Sequence, residues 1–93
     1  MVILKQKEAI TMTYEQLILQ ASQTRVAYIV DIMNAVDAEV MSQLTPGETY
    51  VRVQIEIKIL RVVSVFTLTD EERFAMQAEL LARITEKHQR TIQ

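Results

Sequence analysis

The chain has 93 residues, no cysteine, one glycine and one proline, and its 10 basic and 12 acidic residues leave a net charge of -2. The missing cysteine excludes disulfides, thiolate metal sites and thiol nucleophiles, and Gly47 as the only glycine excludes glycine-rich phosphate loops. The near-balanced charge makes no global case for nucleic acid or an anionic membrane, while 49% apolar and 24% charged residues describe a globular chain rather than a disordered one.

The length fits a single domain over residues 1–93, with a thin core. So few breakers leave room for few turns and therefore for a handful of long elements. The apolar part of the N-terminus, Val2-Ile3-Leu4, is too short for a signal peptide. No apolar run reaches the ~18 residues of a transmembrane helix. A reducing cytoplasm is the expected compartment, with no membrane partner.

In chain order, Val2–Gln6 has the composition of a short strand, although the segment reads equally as a loose arm. Thr13 with Gln16 has the form of a capping box, which starts a helix. Beyond it Tyr14, Ile18, Ala21, Ile29, Ile32, Val36, Val40 and Leu44 recur at helical spacing. Gln16, Gln20, Gln23, Asp31, Asn34 and Asp37 occupy the other face. The pattern predicts one helix over Thr13–Leu44, bent near Ser22–Thr24. At 1.5 Å per residue it would run about 45–50 Å, longer than a globule of this size is wide, so it either breaks or packs its end on a second copy. Within it Val26–Val30 is β-branched and apolar on all sides, a competing strand signal that reads better as buried helix. Thr45-Pro46-Gly47-Glu48 then reverses the chain.

The clearest segment follows. Val51, Val53, Ile55, Ile57 and Ile59 alternate with Arg52, Gln54, Glu56 and Lys58. A strict two-residue period predicts a half-buried strand, Val51–Ile59, with a bulge near Leu60-Arg61. Thr69 with Glu72 forms a second capping box, and Asp70, Glu71 and Glu72 suit the positive end of the following helix dipole. That helix is predicted over Asp70–Arg90, with Phe74, Ala78, Leu81 and Ile84 on its apolar face, widened by Met76 and Leu80. Met12, Met33, Met41 and Met76 read as core filler.

The expected fold is α+β: long helix, long β-strand, helix, with a short N-terminal strand. A lone strand leaves its backbone groups unpaired. The expected remedy is an antiparallel strand from a second subunit, so the predicted dimer interface is Val51, Arg52, Val53, Gln54, Ile55, Glu56, Ile57 and Lys58. With Gln54 on the two-fold axis, Arg52 would face Glu56, Tyr50 would face Lys58, Val51 would meet Ile57 and Val53 would meet Ile55.

Catalytic chemistry finds little purchase. His88 is the only histidine and sits where a side chain caps helix carbonyls or meets water. Asp31 reads as part of the polar stripe rather than a buried general base. Asp70-Glu71-Glu72 reads as dipole compensation rather than a cation site. Ser22, Ser42 and Ser64 lack a nucleophile context. No catalytic, cofactor-binding or metal-binding residue is assigned. The expectation is a non-catalytic interaction or regulatory protein, acting as a homodimer on an unidentified protein partner. The competing expectation is a nucleic-acid-binding module using a face of Tyr50, Arg52, Lys58 and Arg61.

Overall fold

The computed structural model describes residues 12–92. These form four helices: α1 (Tyr14–Gln20), α2 (Gln23–Gln43), α3 (Arg52–Val63) and α4 (Asp70–Ile92). There is no strand among them. The expected α+β class is therefore wrong for the described residues, which are all-helical. The proposed N-terminal strand Val2–Gln6 lies outside them.

The largest correction concerns Val51–Ile59. From Arg52 onward it is helical, and because two residues of an α-helix advance about 200°, its alternate apolar residues fall on opposite faces. Ile55 and Ile59 turn inward, joined by Val63, and are buried. Val53 and Ile57 turn outward. A lone strand would have had to find partners for every N–H and C=O group, whereas a helix pairs most of them within itself. That gain outweighs the modest cost of β-branched residues in a helix, at most about 0.7 kcal/mol each. Gln54 helps at the start: its side-chain oxygen accepts from the Val51 N–H at 2.9 Å. With no strand, the antiparallel β-register centred on Gln54 and the strand-completed sheet fall away.

The predicted Thr13–Leu44 helix breaks in two. Ala21 and Ser22 are both extended, and the Ser22 hydroxyl accepts from the Arg25 N–H at 3.2 Å to cap α2. The break resolves the length problem, since the described residues span 44 × 34 × 22 Å. Both capping boxes form as read. Thr13 and Gln16 exchange bonds of 3.0 and 3.1 Å, and Thr69 and Glu72 exchange bonds of 2.9 and 3.1 Å. Pro46-Gly47 forms a tight turn, with the Glu48 N–H donating to the Thr45 carbonyl and Gly47 at φ +81°. That φ with proline one residue earlier is the type II pattern, which favours glycine.

α4 is the central helix and packs on each of the other three, while α2 also packs on α3. The core joins Ile29, Ile32, Met33, Val36 and Val40 of α2 to Ile55, Ile59 and Val63 of α3 and to Ala75, Met76, Leu80, Leu81 and Ile84 of α4. Leu17 is α1's buried contribution, while Tyr14 and Ile18 pack at its margin. Met33 and Met76 are core residues, and Met12 and Met41 pack at the edge of that core. Two predicted core positions are not: Phe74 and Ala78 are exposed, because the inward face of α4 is rotated toward Ala75, Met76 and Leu80. The Val26–Val30 stretch is helical but not buried all round, since Tyr28 and Val30 reach solvent.

Candidate interaction surface

α3 is apolar on two opposed faces, and only one of them is covered. Ile55 is 1% exposed, whereas Val53, Ile57 and Leu60 are 59%, 44% and 49% exposed. Steps of four and three residues place those three in one row along the solvent side of the helix. Single exposed apolar residues are ordinary; here three stand together on one helix face. Glu56 flanks the row on one side; Gln54 and Arg61 flank it on the other. Neither Glu56 nor Arg61 takes part in an ion pair among the described residues.

The predicted interface residues thus divide. Val53, Gln54, Glu56 and Ile57 share the outward side. Ile55 belongs to the core, and Val51 is the exposed residue preceding the helix. Lys58 is half-buried.

The predicted basic face divides as well. Tyr50, Lys58 and Arg61 line one groove with Gln54 and Ile57. Arg52 lies on the opposite flank of α3, in a groove shared with Leu81, Ala82, Thr85, Glu86 and Gln89 of α4. Tyr50 is also committed elsewhere. Its hydroxyl accepts from the Thr45 N–H at 3.0 Å, and its ring stands edge-on to His88 with centroids 5.0 Å apart.

His88 is buried, 3% exposed, rather than solvated, and its Nε2–H donates to the Glu48 carbonyl. It does bind a carbonyl, but one in the α2–α3 loop and not at its own helix end. The residue ties that loop to α4. Asp31 is exposed, as membership of the polar stripe requires. Asp37 of that stripe pairs with Lys87 of α4 at 2.7 Å.

Glu72 does more than complement a helix dipole. It is buried, and both of its oxygens accept from Arg25, at 2.6 Å from Nε and 2.6 Å from Nη2. Arg25 also lies over the Tyr28 ring at 4.7 Å, and its Nη2 reaches the Thr67 carbonyl at 3.4 Å. The guanidinium, aided by the Thr69 N–H, outweighs the effect of burial and holds the Glu72 carboxyl down to about 2. This pair joins the start of α2 to the start of α4, across 47 positions of sequence. It is a structural clamp with its valences filled, and nothing in it is poised for proton transfer.

The other concavities do not assemble reactive groups. The groove between α1 and α2, about 570 Å³, is lined by Ile18, Ala21, Val26, Ala27 and Val30, with Gln23 and Asp31 as its polar members. No cluster of three His, Cys, Asp or Glu side chains with the spacing of a metal site occurs among the described residues. No helix among them is long and apolar enough to cross a membrane. The chain matches no protein-family model, no curated protein and no solved structure.

Proposed function

We propose that this is a small non-catalytic interaction protein, a cytoplasmic accessory or regulator that acts as a homodimer. The observation that carries the reading is the second apolar face of α3. Val53, Ile57 and Leu60 stand in solvent on a helix whose other face already fills the core. Burying a large aliphatic side chain is worth about 1.5–3 kcal/mol, so a partner that covers this row has a ready source of affinity.

Sedimentation equilibrium over 1–100 μM tests the reading. A dimer mass that shifts toward monomer when Ile57→Asp is introduced supports it. A wild-type chain that stays monomeric throughout that range overturns the homodimer. Because Ile57 is exposed, circular dichroism should report an unchanged fold for the variant.

Nucleic-acid binding is the weaker reading. One observation favours it, the shared groove of Tyr50, Lys58 and Arg61. The divergence of Arg52 and the engagement of Tyr50 with His88 count against it. Fluorescence anisotropy with a labelled single strand at 50 mM salt decides it: binding must be present and must weaken as salt rises.

A further inference from the structure

We infer that two copies of the chain pair through the outward faces of α3, with the two α3 helices parallel and the two-fold axis running along them. This rests on the homodimer reading above and specifies its geometry. The occupant follows from the charges beside the apolar row. Val53, Ile57 and Leu60 form the seam. Glu56 lies on one edge of it and Arg61, five residues on, lies on the other. In a parallel helix pair the residues that flank the seam on opposite edges, five apart, face each other across the interface. Glu56 therefore meets the partner's Arg61, and the two-fold axis repeats the contact. Both side chains lack an ion-pair partner among the described residues, so the pairing breaks nothing.

An antiparallel arrangement of the same seam gains no such pair: centred on Glu56 it sets that carboxylate against its own symmetry mate, and centred between Ile57 and Lys58 it sets Arg61 against the neutral Gln54. Only the parallel orientation places opposite charges across the seam. One face of a 12-residue helix buries less than the roughly 800 Å² per partner of a standard interface, so the pair is expected to be a weak, readily dissociating dimer.

The absence of native cysteine makes the orientation directly readable. Val53→Cys and Leu60→Cys are prepared separately, and each is oxidised alone and in an equimolar mixture. Parallel pairing brings each position opposite itself, so each variant alone forms a disulfide-linked dimer. A cross-link formed only in the mixture means antiparallel pairing and overturns the inference. No cross-link from a chain that sediments as a dimer means that another face is used; this overturns the inference while leaving the homodimer intact. A monomer overturns both.

A charge exchange provides a second readout. Glu56→Arg alone and Arg61→Glu alone each set like charges across the seam, and each should weaken dimerisation about tenfold. Mixing the two variants restores opposite charges at both contacts. The mixture should therefore recover wild-type affinity as a heterodimer, and weak association of the mixture counts against parallel packing.

Discussion

Replacing Glu72 with glutamine isolates the charge of the Arg25–Glu72 clamp. Gln has nearly the same shape, and its side-chain oxygen can still accept from the Thr69 N–H, so the cap survives and the ion pair does not. In the unfolded chain the carboxyl ionises near 4.5, and in the folded chain near 2. The folded value is the lower one, so the pair stabilises the fold above about pH 4.5 and that stability is lost as pH falls toward 2. The interval between the two values corresponds in full to roughly 3.4 kcal/mol. The side chain of Glu72 is only 8% exposed, but that of Arg25 is 36% exposed, and solvent screening brings the expected contribution to about 1–2 kcal/mol.

For a chain of this size that corresponds to a loss of about 4–15 °C in Tm at pH 7. Thermal and urea unfolding, followed by circular dichroism from pH 7 down to pH 2, is the assay. Wild type and Glu72→Gln should differ at neutral pH and converge at the acid end, with the variant showing the flatter profile between pH 4.5 and 2. Equal stability at pH 7, or a pH profile as steep in the variant as in wild type, would refute the reasoning.

Two further outcomes are expected. Ile55→Ala should cost about 2–4 kcal/mol and Ile57→Ala less than about 1, because one side chain is buried and the other is not; a strand would bury both alike, so equal losses in urea unfolding would speak against the helix. Gly47→Ala should cost about 1 kcal/mol, and Gly47→Asn less, because nothing lies within 4 Å of an added Cβ and the penalty comes from φ +81° alone; a neutral alanine would mean that the turn relaxes freely.

The elements legible from sequence were those fixed by local chemistry. Thr13 with Gln16, Thr69 with Glu72 and Pro46-Gly47 all act within four residues, and each behaves as its side chains dictate. The central segment went astray for a physical reason. A two-residue apolar period is the signature of a strand with one buried face, but on a helix it produces two apolar faces. Only the rest of the chain decides between them. The deciding facts are two: no partner strand lies beside it among the described residues, and Ile55, Ile59, Val62 and Val63 continue at steps of four and three. The overlong first helix had advertised its own break, and Ser22 supplied the cap for it. The Arg25–Glu72 clamp was beyond reach, since its halves lie 47 positions apart and neither residue type is unusual where it stands. Of the candidate site, half was visible. Val53, Gln54, Glu56 and Ile57, contact residues in a strand-edge reading, share the open side of a helix. Arg52 and Lys58 looked like neighbours only because a strand would have put them on one face.

The central place of α4 bears on how the protein is made. α4 follows the other three helices in the chain, and α1, α2 and α3 all lean on it. On a ribosome, the earlier helices emerge with their inward faces uncovered, and α1 has no large packing surface until Asp70 and the residues after it leave the exit tunnel. At 5–20 residues per second the stretch from Leu44 to the end of α4 takes several seconds to synthesise. Through that interval α2 can pack only on α3, and the part of its apolar face that α4 covers stays without its partner.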